Sequence, residues 1–226
     1  LVFLYDVDIL LTIYTHTRTL SLIDRVCAMN SFDGGYSWEQ LNQTGTTTPA
    51  KKGVKVSAST KLQTNSLWVS RVTASQHKEA RVFVSLNGYR FDNFAPFLYV
   101  SEDYGMTWKN ISSDLPYEPI NVVREDPKND SIIYVGTDGG LYVSFDMGNT
   151  FMLWNGGMPK SVPVHDIAVQ QRDNEIVLGT HGRSLYVAKL DDVQKLKQDP
   201  EWMKKKPKPK KEKAADNNNN PVPEID

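Results

Sequence analysis

The protein has 226 residues, and its 26 basic and 27 acidic side chains give a formal net charge of −1. This balance excludes the strongly basic surface typical of nucleic-acid-binding chains, so we expect no nucleic-acid partner. The single cysteine, Cys27, excludes an internal disulfide, which fits a reducing compartment and a bacterial secreted protein equally well.

The chain opens with an apolar run at residues 1–14, which carries Asp6 and Asp8. The core of a signal peptide lacks such charges, and the run is too short to span a bilayer. We therefore expect no transmembrane segment here and interpret the run as a buried strand or a damaged start. Residues 8–14 and 25–30 are the strands predicted in this part of the chain, and residues 46–64 form a polar loop.

The centre of the chain is repetitive. A Leu-Tyr-Val motif stands at positions 98, 141 and 185, with spacings of 43 and 44 residues. Further runs of β-branched and aromatic residues, bounded by Gly, Pro, Asn and Asp, accompany each copy and predict short strands. The predicted strands are 69–74, 81–85, 98–101 and 107–111; 120–124, 132–136, 141–144 and 151–154; and 164–169, 175–179 and 185–188.

Four short strands in every 43 or 44 residues is the spacing of β-propeller blades. We therefore predict an all-β fold, a β-propeller built of four-stranded antiparallel blades. Three clear blades and a degraded first one are expected near residues 65–115, 116–157, 160–192 and 1–45. Helical patterning is confined to residues 191–198.

Residues 193–226 form a Lys-, Pro- and Asn-rich tail. Such a composition cannot bury enough apolar surface to offset the entropy of ordering the chain, so the sequence predicts a disordered tail. A polybasic anchor for an anionic surface and a nuclear signal are the alternatives for this segment.

Three segments share the pattern Ser-x-Asp-x-Gly-x-Ser/Thr-aromatic. The Asp can accept hydrogen bonds from nearby backbone N–H groups, the Gly allows a positive φ, and the aromatic ring buries a large apolar area. The pattern therefore indicates a structural turn rather than a catalytic site. Its residues are Ser31, Asp33, Gly35 and Trp38; Ser101, Asp103, Gly105 and Trp108; and Ser144, Asp146, Gly148 and Phe151.

This turn resembles the Asp box, or BNR repeat. Together with the blocks at 135–144, 164–172 and 179–183, the turns resemble the C-terminal blades of glycosyl-hydrolase-like BNR propellers related to sortilin/Vps10 and xyloglucanases. The resemblance covers about residues 68–192. It implies that further, N-terminal blades of the same protein complete the propeller. It also implies a secreted, periplasmic or cell-surface location.

Successive hairpins of an antiparallel meander alternate between the two ends of the sheet. The loops between second and third strands, 87–96, 137–140 and 180–184, therefore share one rim with the connections between blades. The first of these loops is the richest, and its mixture of aromatic, Arg and amide groups suits a sugar or a protein ligand. The same composition also suits an ordinary packed loop. The candidate ligand-binding residues are Tyr89, Arg90, Phe91, Asp138, His181 and Arg183.

Two functions stay open from the sequence. One is an extracellular or envelope module that binds a protein or a carbohydrate and has no identifiable catalytic set. The alternative is a xyloglucanase-like or sialidase-like glycoside hydrolase, which needs two carboxylates across a cleft. Asp166, near the central channel, Asp138 and Asp92 are its candidates by position alone, and further blades would complete its active site.

An intracellular scaffold is a third idea, motivated by the lone cysteine and the Lys-rich tail. The residues favour a binding module over an enzyme. No cofactor is expected, because the chain has no Gly-rich phosphate-binding loop that opens a helix. No metal site is expected either, because the four histidines are scattered along the sequence.

Overall fold

In the residues that it describes, the computed structural model is all-β apart from one short helix and one 3₁₀ turn. The 17 strands of these residues form four antiparallel sheets, which follow one another along the chain, and one small parallel pair. The structure describes residues 10–13, 20–24, 27–31, 36–37, 39–40, 42–43, 62–63, 67–154, 157–159 and 161–196.

The first sheet has four strands in sequential order. They are β1 (Leu10–Ile13), β2 (Leu20–Asp24), β3 (Cys27–Ser31) and β4 (Glu39–Gln40). The sequence predicted β1 and β3 but missed β2, because no Gly, Pro or Asn separates residues 20–24 from the next apolar run. Strand β5 (Asn42–Gln43) pairs in parallel with β6 (Leu62–Gln63), which lies inside the predicted polar loop. Asp33, Gly35 and Trp38 of the first predicted turn lie outside the described residues.

The second and third sheets are four-stranded antiparallel meanders. The second contains β7 (Trp68–Ala74), β8 (Val82–Gly88), β9 (Asn93–Ser101) and β10 (Lys109–Asn110). The third contains β11 (Ile120–Glu125), β12 (Ile133–Thr137), β13 (Leu141–Ser144) and β14 (Met152–Leu153). Both sheets lie where the repeat predicted them, although β9 begins five residues before the predicted strand.

The fourth sheet has three strands, β15 (Val164–Gln170), β16 (Glu175–Thr180) and β17 (Leu185–Lys189). The helix α1 (Asp191–Leu196) follows β17 directly. Its Val193 is buried in the core, so residues 193–196, which we had assigned to the tail, are part of a packed helix. The remainder of the predicted tail, residues 197–226, lies outside the described part of the chain.

The core lies between successive sheets. The first strands β7, β11 and β15 run side by side, and each sheet packs against the next. Three clusters result: one on the second sheet, one between the second and third sheets, and one between the third and fourth sheets that α1 closes. Their largest fully buried side chains include Trp108, Phe97, Phe83, Leu98, Tyr134, Leu141 and Ile167.

The repeated leucine shows how the fourth sheet differs from the others. Leu98 and Leu141 are 0% exposed because each packs into a core cluster, whereas Leu185 is 67% exposed. The valine two positions after each leucine shows the same difference, because it is buried in the second and third sheets whereas Val187 is 62% exposed. One face of the fourth sheet is therefore uncovered among the described residues, although it carries the side chains that pack in the preceding sheets.

A buried ion pair joins the second and third sheets, where Arg81 lies just before β8 and Glu125 ends β11. Nη1 of Arg81 donates to Oε1 of Glu125 at 2.8 Å, and its Nε donates to Oε1 of Glu102 at 2.7 Å. Burial lowers the pKa of Arg81, but its hydrogen bonds to Glu125 and Glu102 and their charges outweigh burial, and the net shift is upward. Truncation of Arg81 would leave Glu125 buried and unpaired, the costly way to break such a pair.

Candidate functional site

The two turns that follow β9 and β13 have the same geometry. Oγ of Ser101 donates to Oδ1 of Asp103 at 2.8 Å and accepts the N–H of Gly105 at 2.8 Å. The N–H of Thr107 donates to Oδ1 of Asp103 at 2.8 Å, and its hydroxyl donates to Oδ2 at 2.5 Å. Gly105 has a φ of +89°.

The second turn repeats each of these contacts. Ser144 donates to Asp146 at 2.9 Å, and Thr150 donates its N–H and its hydroxyl to the two carboxylate oxygens at 2.8 and 2.7 Å. Gly148 has a φ of +80°. Both oxygens of each Asp accept hydrogen bonds inside their own turn, which is an arrangement for stabilising a loop rather than for binding a substrate.

The electrostatics of Asp103 agree with that arrangement. Partial burial raises the pKa of its carboxyl, but the hydrogen bonds from Thr107, Ser101 and Met106 lower this pKa by more than burial raises it, and the net shift is downward. The ring that ends each turn is buried: Trp108 is 1% exposed and Phe151 is 6% exposed.

The opposite edge of the sheets carries the candidate ligand-binding residues, and we call it the loop rim. It consists of the loops 89–92, 137–140 and 180–184 and the beginnings of β7, β11 and β15. Three of the predicted residues, Tyr89, Arg90 and Phe91, form a single 3₁₀ turn between β8 and β9. The predicted loop 87–96 is therefore largely strand.

Aromatic surface is exposed at this turn. Tyr89 is 46% exposed and Phe91 is 61% exposed. The guanidinium carbon of Arg90 lies 3.9 Å from the ring centroid of Trp68, within cation–π range, and this contact holds the turn against β7. Asp92 has a φ of +55°, and its N–H donates to the carbonyl of Tyr89 at 3.2 Å, so Asp92 closes the turn.

Asp138 lies in the next loop of the rim, where Nδ2 of Asn121 donates to its Oδ1 at 2.9 Å. Glu118 approaches the same loop and accepts a hydrogen bond from the hydroxyl of Thr137 at 2.8 Å. Burial, together with the charge of Glu118 and its hydrogen bond, raises the pKa of Tyr142 to about 12. The sequence did not predict that Glu118 contacts this loop, because the contact depends on the path of the connection between two sheets.

Asp166 lies beside two arginines of the neighbouring first strands. Nη2 of Arg71 donates to its Oδ1 at 2.9 Å, and Nη2 of Arg124 lies 4.0 Å from the same oxygen. Burial and the charge of Arg71 lower the pKa of Arg124, and Asp166 opposes this shift. A cleft of about 280 Å³ opens next to these groups. Its lining includes Thr73, Gln76, Arg124, Glu125, Ile167 and Val169.

His181 and His165 lie together at the rim, with ring centroids 5.3 Å apart and planes inclined by 38°. The N–H of His181 donates to the carbonyl of Pro163 at 3.1 Å, which fixes its loop beside the start of β15. The two histidines are therefore separated in the sequence but adjacent in the fold. Arg183 is exposed in the same loop.

A repeated β-bulge explains why these side chains meet. The register of each first strand shifts at the same place, and the residues at the shift are Ser70, Asn121 and His165. Each contacts the second strand of its sheet or the loop after that strand: Ser70 contacts Ser85 within β8, Asn121 contacts Asp138, and His165 contacts His181. Bulges re-aim side chains near functional sites, and these bulges supply the rim with paired polar groups.

The first two bulged residues also tie their sheet to the next one. Ser70 donates to the carbonyl of Ile120 at 2.8 Å, and Asn121 donates to that of Val164 at 3.3 Å. Thr73 and Arg124 repeat this pattern further along the strands, with 2.9 Å bonds to the carbonyls of the next first strand. The donor residues are three positions apart in each strand, and their bonds hold the first strands side by side.

The structure places the three candidate carboxylates in different surroundings. Asp92 closes a turn, Asp138 bonds an amide and Asp166 is paired with a guanidinium. The described ranges contain no group of three or more His, Cys, Asp or Glu side chains suited to a metal ion. No described helix is long and apolar enough to cross a membrane.

Comparisons with known proteins find no matching family model and no matching curated protein. Solved structures do match. The GH74 xyloglucanase of Xanthomonas campestris is 17% identical with a TM-score of 0.50, over 75% of this chain and 27% of the enzyme. The GH74 enzyme of Niastella koreensis is 16% identical with a TM-score of 0.53, over 75% of this chain and 26% of the enzyme.

A third similar structure is the extracellular domain of a putative hybrid two-component system from B. thetaiotaomicron. It is 16% identical with a TM-score of 0.53, over 78% of this chain and 21% of that domain. The chain therefore spans about a quarter of the length of these proteins. Because identities this low show the fold alone, the relation to sortilin and Vps10 stays a prediction. The chain is an all-β protein whose successive four-stranded antiparallel sheets support a partial β-propeller.

Proposed function

We propose that this chain is a recognition module that binds a protein or a carbohydrate at the loop rim. The observation that carries the proposal is the exposed aromatic surface of Tyr89 and Phe91 on the loop rim, with the ion pair of Arg71 and Asp166 further along the first strands. Aromatic rings beside charged and amide groups suit both the stacking of a sugar and a protein hot spot.

The state of the carboxylates favours recognition over hydrolysis. Glycoside hydrolysis uses one carboxyl group as an acid and a second as a base or nucleophile. Two of the three candidates are engaged by a neighbour, Asp166 by Arg71 and Asp138 by Asn121, whereas Asp92 closes its turn through its backbone N–H. The turns of Asp103 and Asp146, at the edge opposite the loop rim, have a structural role in this proposal.

A glycoside hydrolase is the second candidate, and the GH74 enzymes among the similar structures are what favours it. In that case further blades of the same protein would supply the missing part of the cleft. The uncovered face of the fourth sheet supports such blades, because it carries Leu185 and Val187 at positions that are buried in the preceding sheets. A secreted, periplasmic or cell-surface location accompanies both candidates, in line with the extracellular domain among the similar structures.

The test is a glycan array and a polysaccharide-hydrolysis screen on the chain and on its Phe91→Ala and Asp166→Asn variants. Met106→Ala is the matched control, because Met106 is 63% exposed but lies in the turn of Asp103, at the edge opposite the loop rim. We expect Phe91→Ala to weaken ligand binding about tenfold, as removal of an interface anchor typically does, and Met106→Ala to leave it unchanged.

The outcomes separate the candidates. Binding that depends on Phe91, without turnover by the chain or by a longer protein that includes the further blades, supports the recognition module. Release of reducing ends that disappears in Asp166→Asn supports the hydrolase. If a ligand binds equally well to the wild type and Phe91→Ala, the loop rim is not the binding surface.

A further inference from the structure

The pairing of His165 with His181 has a chemistry that the other sheets lack. At the equivalent bulge, the second sheet pairs Ser70 with Ser85 and the third pairs Asn121 with Asp138. Those pairs are joined by direct hydrogen bonds. The fourth sheet places two imidazole rings there instead, and both histidines are exposed.

We propose that His165 and His181 form a two-histidine site for a divalent transition metal, with zinc as the best fit. Imidazole nitrogen is a preferred ligand of Zn²⁺, Cu²⁺ and Ni²⁺. The two rings would each supply one nitrogen, and the remaining coordination positions would be open to water or to a bound ligand. The site does not depend on the recognition proposal.

The distance between the rings matches coordination to one ion. A Zn–N bond is about 2.1 Å, and the centre of an imidazole ring lies about 1.2 Å beyond its nitrogen. Two rings on one ion at the tetrahedral angle therefore have centres about 5.3 Å apart, whereas a right angle gives about 4.6 Å. The observed separation of 5.3 Å equals the value for the tetrahedral angle, which is the geometry that zinc prefers.

The backbone holds the two residues close together before any ion arrives. His165 lies at the bulge of β15, between residues paired with β16 on either side. His181 is fixed through its N–H to the carbonyl of Pro163, two residues before His165. Ligands that are already close together lose less conformational freedom when an ion binds.

No third side chain of the described residues joins the two histidines as a metal ligand. Asp166 follows His165 in sequence, and its Oδ1 accepts a hydrogen bond from Arg71 at 2.9 Å and from the N–H of Ile167 at 2.9 Å. We therefore assign two protein ligands to the ion. This departs from the expectation of no metal site that the sequence produced, since residues 165 and 181 meet only after β15 and β16 pair.

The test is isothermal titration of the intact chain with Zn²⁺, Ni²⁺ and Mg²⁺, repeated on His165→Ala and His181→Ala. His77→Ala is the matched control, because His77 is exposed and its Nε2 bonds the backbone carbonyl of Asp126. We expect one zinc ion per chain, no response to Mg²⁺, and at least a tenfold loss of zinc affinity in each rim variant but not in His77→Ala.

A second readout covers a variant that fails to fold. In the wild type, zinc should broaden or shift the ring NMR signals of His165 and His181 and leave those of His77 unchanged. The proposal is overturned if zinc does not bind, if either rim variant retains wild-type affinity, or if the ring signals do not respond. In those cases the 5.3 Å contact is an ordinary aromatic pair.

Discussion

At the scale of single residues, Asp103 and Asp146 each organise a turn through one carboxylate that accepts bonds from the Ser before it and the Thr after it. The ionised carboxylate is the stronger acceptor, which explains the lowered pKa of Asp103. The ionised carboxylate of Asp103 contributes fully to stability above its ordinary pKa of 3.8. This contribution is lost as the pH falls through the lower pKa of Asp103 in the folded protein.

We therefore expect Asp103→Ala to reduce the free energy of unfolding by about 2 kcal/mol at neutral pH, because several hydrogen bonds to a charged group are lost. Urea titration measures this change, and the difference from the wild type should shrink in acid. Asp192→Ala is the control, since Asp192 is 86% exposed and should change stability by less than about 0.5 kcal/mol. An equal effect of the two substitutions would show that the turn bonds do not stabilise the fold.

At the scale of elements, equivalent strands meet different environments. Leu141 of β13 and Leu185 of β17 occupy the same position in the repeat, yet their exposures are 0% and 67%. Leu141 is enclosed because the fourth sheet covers its face. The strand alone therefore does not determine burial; the next sheet does.

This difference predicts the effect of one substitution at the two sites. Leu141→Lys buries an unpaired charge and should cost at least about 3 kcal/mol of stability, or prevent folding. Leu185→Lys should stay within about 0.5 kcal/mol of the wild type, because the ammonium group remains in water. Thermal or chemical unfolding checks both. A large loss of stability in Leu185→Lys would mean that another part of the chain covers β17.

At the scale of the whole molecule, the sheets form a series in which each one covers the face of the one before it. The series ends in the described structure with an apolar face, and β17 lies at the edge of its three-stranded sheet. Exposed apolar faces and unpaired edge strands promote association.

We accordingly expect the isolated chain to self-associate through the fourth sheet at micromolar concentrations. The double variant Leu185→Lys with Val187→Lys should shift the population toward the monomer. Leu153→Lys should not, although Leu153 is also exposed, because it lies on β14 of the third sheet. Analytical ultracentrifugation measures the distribution. A wild type that is wholly monomeric would show that the face is covered within the chain.

The sequence by itself determined the strands of the repeats and the chemistry of the turns. Both depend on local signals: β-branched runs bounded by turn residues, and a Ser-x-Asp-x-Gly pattern whose hydrogen bonds span only four residues. The alternation of hairpins also located the loop rim and six of its residues. The missed strand β2 has only a weak boundary signal, because Asp24 and Arg25 alone separate it from the next apolar run.

Tertiary structure alone decided which side chains meet at that rim. Arg71 and Asp166 are 95 residues apart, and His165 and His181 lie on different segments of the fourth sheet. Their contacts depend on bulges and on the packing of successive first strands, and no local pattern encodes either. The exposure of Leu185 was equally hidden, because the motif that carries it is the same one that is buried in the two preceding sheets.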